Sequence, residues 1–215
     1  MSRPRTQAER LAATRGALLA AARMLFAEQG YEAAATEEIV RRAQVTRGAL
    51  YHHFADKRAL FDAVASEVAR EIAQRIEAAT PMTDPLQALL AGSMAFLDAC
   101  LDPAARRIYL VDAPSVLGWH RWREIDAPHG VRSLREGVRT MLAGRTNEAL
   151  AVEPTTFLLS GALNEAALWI AEAADEKAAR RDMERTVRIL IERLFATAGA
   201  PSRSPPRSPR ARARA

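Results

Sequence analysis

Two helix-start signals, at Thr36 and Thr46, constrain this chain more than any other feature. The segment Thr36-Glu37-Glu38-Ile39-Val40-Arg41-Arg42-Ala43-Gln44-Val45-Thr46-Arg47-Gly48-Ala49-Leu50-Tyr51-His52-His53-Phe54 reads as two helices, each too short to be stable alone. Thr36 is placed to cap the first, with Glu37 and Glu38 favourable against the helix dipole. Thr46 is placed to cap the second, and Val45 before it and Leu50 after it have the spacing of a hydrophobic staple. Only Ala43 to Val45 lie between. Two short helices joined by so tight a turn have the form of a helix-turn-helix, whose second helix lies in the DNA major groove.

The second helix has the composition for that task. Ile39, Val40, Val45, Leu50 and Phe54 suffice to pack the unit inward, so the other residues face out. Arg47 can bond guanine in bidentate fashion, Thr46 can reach a base edge or phosphate, and Gly48 and Ala49 leave room for close approach. Tyr51, His52, His53 and Lys57 follow as a polar, aromatic and cationic band of the kind that holds phosphates. Lys57 also stands in the first turn of the next helix, whose free N–H groups favour an anion. Arg41 and Arg42 serve either the phosphate backbone or a solvated helix face. The adjacent His52 and His53 point about a quarter-turn apart, with no carboxylate or thiol nearby to complete a metal set, so no metal or other cofactor is expected.

Elsewhere apolar residues recur at helical spacing, and no strand pattern appears. A long helix is expected from about Ala8 to Gln29, with Leu11, Leu18, Ala22, Leu25 and Phe26 on one face and Gly30 at its C-terminal stop. Asp56 is placed to cap another, with a stripe from Leu60 to Ile76 that ends before Pro81. Asp84-Pro85 and Asp102-Pro103 are two further starts, and Pro114 is expected to break the second of these helices. Helical spacing resumes from Val116 to Ile125, then from His129 to Leu142 with a stop at Gly144, from Pro154 to Ala173 and from Glu176 to Ala198. No apolar run approaches the ~18 residues that span a bilayer, so a cytoplasmic protein without membrane contact is expected. The single cysteine, Cys100, can form no intramolecular disulfide and no cysteine zinc site, in keeping with a reducing compartment.

Charge adds less than the sequence pI of about 10.1 suggests. Residues 1–60 hold ten Lys/Arg against six Asp/Glu, residues 61–198 sixteen against twenty, and residues 199–215 five Arg and no acid. The basic balance is therefore a basic front and a basic tail around an acidic body. The tail, of Pro, Ser, Arg and Ala, has nothing to bury and is expected to be disordered. It serves either as a non-specific DNA contact or as a solubilising end.

Gly30-Tyr31, Thr36, Ile39, Ala43, Val45-Thr46, Gly48-Ala49-Leu50-Tyr51, His53-Phe54 and Lys57 to Leu60 resemble the N-terminal signature of the tetracycline-repressor (TetR) family over about fifty residues. The resemblance implies an all-α homodimer: an N-terminal three-helix helix-turn-helix domain followed by a larger helical ligand-binding and dimerisation domain. On this chain that means a flexible arm at 1–8, the DNA-binding domain at 9–56, the helical body at 57–198 and the tail at 199–215. The resemblance also places Thr46, Arg47, Gly48 and His52 near bases of a double-stranded operator, and Thr36, Tyr51, His53 and Lys57 near phosphates. Gln44 stands where the family usually has a turn glycine, which implies a slightly different turn.

In the body, a pocket for a partly apolar small molecule can be assembled from Phe96, Cys100, Tyr109, Trp119, Trp122, Met141, Asn164 and Trp169, although large aromatics in an Ala-rich bundle are first of all core fillers. The last two helices are apolar nearly all round, which asks for a second chain as cover. Phe157, Gly161, Leu168, Val187, Ile191 and Leu194 are the expected homodimer residues. Two rival classes stay open. One is a helical enzyme with a buried pocket, for which Asp112 with His120 or His129 is the conceivable acid-base pair, without a nucleophile, a phosphate loop or metal spacing. The other is an architectural protein that binds DNA without specificity.

Overall fold

The computed structural model describes residues 6–80, 84–143 and 150–196. Helix α1 (Gln7–Ala33) starts at Thr6, whose hydroxyl accepts the Glu9 N–H at 3.2 Å while the Glu9 carboxylate accepts the Thr6 N–H at 2.7 Å. This reciprocal cap pulls the helix into what the sequence suggested as a flexible arm. Residues 1–5 of that arm lie outside the described residues. Gly30, at φ 81°, bends the chain where the stop was expected, and a last turn continues to Ala33. Leu18, Ala22, Leu25 and Phe26 are buried along one stripe, but Leu11 is exposed because the covered part of the helix starts only at Leu18.

Helices α2 (Thr36–Arg42) and α3 (Arg47–His53) cross below α1, held by the buried side chains of Ile39 and Leu50. Helix α4 (Lys57–Ala79) opens at Asp56, whose carboxylate accepts the Ala59 N–H at 2.7 Å, and buries Leu60, Phe61, Val64, Val68, Ile72 and Ile76. Phe61 joins it to the first unit: its ring lies 5.1 Å from both Phe26 and Tyr31.

The second half begins with α5 (Pro85–Leu101), capped by Asp84, and α6 (Pro103–Arg106), capped by Asp102. Pro114 does not end this run. A π turn (Arg107–Asp112) leads without interruption into α7 (Ala113–Leu117), which carries Pro114 in its first turn. A proline inside a helix removes one backbone bond and crowds the preceding turn. The widened turn just ahead of it is where the ladder changes register. The true break is Gly118, at φ 83°, after which α8 (Trp119–Asp126) starts afresh. Then come α9 (Gly130–Leu142), α10 (Val152–Glu172) and α11 (Glu176–Leu194). Helix α4 stops at Ala79, with Thr80 as its C-cap, before Pro81 as expected; α9 ends at Leu142 with Ala143 as its cap, and α11 ends at Leu194, short of the expected Ala198, where Phe195 turns inward. Gly144 itself and the tail fall outside the described residues.

Helices α4, α5, α9 and α10 pack into the body, α11 covers α5 and α10, and α1 rests on both α4 and the π turn. No single described helix is long and apolar enough to cross a membrane.

Candidate nucleic-acid interface and internal cavity

Helix α3 is fixed by local chemistry. The Thr46 hydroxyl accepts the Ala49 N–H at 3.2 Å, as the cap position requires. Val45 and Leu50, the two ends of the expected staple, both join the core. Gln44 turns the chain at φ 55°, so a glutamine occupies the left-handed conformation that glycine adopts without strain. Thr36 differs from expectation. The cap of α2 is Ala35, whose carbonyl accepts the Glu38 and Ile39 N–H groups, and Thr36 is the first helical residue, its hydroxyl donating to Glu37 at 3.1 Å. The helix starts one residue early because Ala35 already has extended backbone and needs no side chain to close the first turn.

Leu50 is the one buried residue of α3; Thr46, Arg47, Gly48, Tyr51 and His52 are exposed, and Ala49 and His53 are half-buried. Arg47 lies over the Tyr51 ring at 5.6 Å and pairs with Glu37 at 3.0 Å. Solvent screens so exposed a pair, and it yields readily to a stronger acceptor. A Cβ on Gly48 would meet only the Thr46 hydroxyl, at 3.8 Å, which leaves the helix surface open there. Lys57 reaches back to the end of α1, donating to the Glu32 carbonyl at 3.1 Å and lying 4.4 Å from the centre of Tyr31. An ammonium has three protons, so it keeps donors for a phosphate. Arg41 and Arg42 both donate to Glu38, whose carboxyl they hold down to about 2. Their charge is thereby partly answered within α2, which favours a solvated face for the pair.

The π turn bolts the body to the end of α1. Asp112 accepts the Tyr31 N–H at 3.0 Å, and Arg107 lies against Gly30 and donates to the Glu28 carbonyl at 3.4 Å. From the other side, Arg58 of α4 donates to the Val116 and Leu117 carbonyls at 3.2 and 2.8 Å, and Arg121 pairs with Asp62 at 2.6 Å.

Between α4, α5, α8, α9 and α10 lies a cavity of about 410 Å³. Ile76, Leu89, Phe96, Val131 and Leu163 form apolar wall; exposed Glu77, Asp84, Arg132 and Glu136 edge its mouth. At its floor Asp126, buried, accepts the Tyr109 hydroxyl at 2.5 Å and faces Arg123 at 3.5 Å. Burial raises the Asp126 carboxyl above the usual range, while the Tyr109 bond and the Arg123 charge pull the other way. Burial also pushes the Tyr109 phenol well up, so the phenol stays the donor.

Residues 18–64 match the family described as bacterial regulatory proteins, tetR family, and residues 86–194 match the tetracyclin repressor-like C-terminal domain. A TetR-family transcriptional regulator from Pectobacterium atrosepticum, known from its crystal structure, is 31% identical and aligns with a TM-score of 0.71 over 90% of this chain and 99% of its own. The chain belongs to the TetR family. It is 33% identical to the transposon Tn10 TetC protein of Escherichia coli over 119 residues, 55% of this chain and 60% of TetC, and so spans less than two thirds of that relative. RolR, solved in complex with resorcinol, shares the fold at a TM-score of 0.61 and 21% identity, over 88% of this chain and 96% of its own.

The N-terminal unit is thus the helix-turn-helix domain of a TetR-family transcriptional regulator, with α2 and α3 inside the matched region. In the body of this TetR-family chain the expected pocket residues scatter. Phe96 and Asn164 lie on the cavity wall. Cys100 and Tyr109 are buried outside it, and burial pushes the Cys100 thiol up to about 12. Met141 packs half-buried against the core, and Trp119 and Trp169 are exposed. Trp122 is buried with its Nε1 lacking a hydrogen-bond partner, and together with Trp119 and Phe157 it surrounds the Arg123 guanidinium at 4.7 to 5.7 Å. Trp119 and Trp122 therefore belong to a cation-aromatic cluster and not to the cavity wall, and Trp169 to neither. The residues that line it and were missed include Ser93, Asp126 and Ser160. Their signal was a polar residue at a buried helical position, such as Ser93 in the apolar stripe of α5.

The outer face of α10 is apolar: Phe157, Leu158 (75% exposed), Gly161, Ala162 and Trp169 are all open, and Leu168 is half-buried. On α11 the expected assignment changes. Val187 and Ile191 are buried in their own chain, on a stripe with Ala179 and Phe195, and Leu194 is half-buried; Ile189 and Leu190 are the outward apolar residues. The helix is amphipathic, with Arg181, Arg185 and Glu192 exposed, so its inner stripe already has a partner in the body.

Proposed function

We propose that the chain is a homodimeric repressor whose hold on a near-palindromic operator is released when a small, partly apolar molecule fills the cavity. The observation that carries this reading is the exposure of Thr46, Arg47, Gly48, Tyr51 and His52 on a helix anchored by Leu50 alone. Each subunit would set α3 in one of two successive major grooves, about 34–36 Å apart or a multiple of it. In the second subunit, the open apolar residues of α10, with Ile189 and Leu190 of α11, would meet their like. The ligand reading has the cavity and the resorcinol found in the fold-related RolR in its favour.

The contacts also offer a route from ligand to DNA. Asp126 at the cavity floor bonds Tyr109, Tyr109 is part of the π turn, and the same turn holds the end of α1 through Asp112 and Arg107. A ligand that prefers one position of this turn by the ~1–3 kcal/mol usual for coupled sites would change the placement of α3.

The test is a salt titration of binding to an operator selected from random DNA. Lys57→Ala should weaken binding to all sequences and flatten the salt slope by about one unit, whereas Arg47→Ala should relax specificity at one base position by about 1–3 kcal/mol. Leu158→Glu should give monomers in sedimentation and lose the operator. Unchanged DNA binding in all three variants would sink the reading.

A further inference from the structure

The cavity's charged and hydroxyl lining leans towards acceptors, although Ser133, Ser160 and Asn164 also line it and carry protons of their own. Thr80, Ser93 and Thr140 line it, yet each spends its hydroxyl proton on its own helix: on the Ile76 carbonyl at 2.7 Å, the Leu89 carbonyl at 2.7 Å and the Glu136 carbonyl at 2.9 Å. Their oxygens therefore face a ligand as acceptors. Charge points the same way. Among the described lining residues Glu77, Asp84, Asp126 and Glu136 are acids and Arg132 is the cation, and Arg132 is already paired with Glu77 at 2.8 Å and Glu136 at 3.6 Å. An anionic ligand would meet these carboxylates without an uncommitted positive partner among those residues. A purely apolar ligand would offer nothing to the buried carboxylate of Asp126 and would leave its remaining acceptor capacity unused.

Resting on the reading of this cavity as the effector site, we propose that the effector is an apolar molecule bearing a protonated amine, which Asp126 receives. Its body would lie against Ile76, Leu89, Phe96, Val131 and Leu163, and its ammonium would meet Asp126 in charge-assisted bonds of about 2.7–2.9 Å. Ser93, buried and lining the same cavity, offers a further acceptor for a polar ligand group. The cavity volume of about 410 Å³ suits a drug-sized or smaller molecule. Opposite charge in a site shut off from water is where an ion pair gains most over its value at the surface. Tyr109 and the Val131 N–H already bond the carboxylate, but its cationic neighbour, Arg123, meets it only at 3.5 Å and is also engaged with the Ser160 hydroxyl at 3.0 Å, so Asp126 retains capacity for a closer cation.

The experiment uses three probes with one carbon skeleton, 4-phenylbutylamine, 4-phenylbutanol and 4-phenylbutanoate, titrated calorimetrically into the full chain at neutral pH. The amine should bind at least about tenfold tighter than either of the others, and Asp126→Asn should erase that preference. Ala88→Phe, which narrows the cavity, should weaken all three. Asp126→Glu guards against an Asp126→Asn chain that does not fold: it keeps a carboxylate at the floor, so a folded Asp126→Glu chain, checked by its thermal transition, should retain the amine preference. Alcohol or carboxylate binding as tightly as the amine, with Ala88→Phe still weakening it, would overturn the amine inference and leave the cavity as effector site. An amine preference that survives Asp126→Asn, or is lost in a folded Asp126→Glu chain, also overturns it. Absence of binding by all three probes overturns both readings.

Discussion

Helix α3 and the cavity carry the two halves of this molecule's chemistry, and they are built in opposite ways. Helix α3 takes its functional side chains from one run of seven residues, Arg47 to His53, and positions them through a cap, a staple and a single buried anchor. The cavity draws on five helices, and its polar centre, Asp126, is held by Tyr109, seventeen residues away in sequence. A site made of neighbours in sequence is set by local rules; one made by helix crossings depends on how the whole body packs. Changes at the first should therefore act sharply and locally, whereas changes at the second should spread.

The largest effect is expected at the α3 anchor. Leu50→Ala removes the one buried side chain of that helix and should cost about 2–5 kcal/mol in urea denaturation. Operator binding should disappear, while calorimetric binding of a cavity ligand persists. Loss of both together would mean that the two regions are one cooperative unit, and the contrast would fail.

At the cavity, Tyr109→Phe leaves a buried acceptor short of a donor and should cost about 1–3 kcal/mol, read as a lower thermal midpoint. Here the effect should travel, because Tyr109 sits in the π turn that also grips Tyr31 through Asp112. Operator affinity should change even though neither residue is on α3. An unaltered affinity would cut the proposed route from cavity to DNA.

A smaller effect concerns pH. Burial raises the Asp126 carboxyl in the folded chain above its value in the unfolded one. The folded state then binds this proton more tightly, so the stability it contributes is complete below the unfolded carboxylate pKa and is lost as pH rises through the raised folded value. Denaturation midpoints of Asp126→Asn should fall less steeply than those of the unaltered chain as pH rises above the ordinary carboxylate range. Parallel slopes would show that Asp126 titrates alike in both states.

The same division explains what the sequence revealed. The cap at Thr46, the caps at Asp56, Asp84 and Asp102 and the bend at Gly30 were legible because each depends on residues within one turn. The α2 start was misplaced at Thr36 because the actual cap, Ala35, has no side chain to announce it. Pro114 misled because the π turn that accommodates it has no composition of its own. In the body, large aromatics drew attention, but Trp119 and Trp169 are exposed and Trp122 fills space, while the smaller Ser93 and Asp126 meet the cavity. Their role follows from which helices cross beside them. The inward stripe of α11 was read as outward for a like reason: Val187 and Ile191 repeat at helical spacing, but periodicity alone does not say which neighbour covers a stripe.

The smallest prediction tests whether α3 is as locally determined as its signals suggest. Gln44 lies at φ 55°, a conformation that costs an L-residue roughly 1–2 kcal/mol and glycine nothing comparable. Glycine also loses more backbone entropy on folding, by roughly 0.5–1 kcal/mol. The two terms oppose each other, so Gln44→Gly should raise stability by no more than about 1.5 kcal/mol and leave operator affinity within about threefold. If the turn is fixed only by its own residues and the cap beside it, that is the whole effect. A large loss of operator affinity with unchanged stability would instead show that the Gln44 side chain, which is exposed next to Val45 and Thr46, itself meets the DNA.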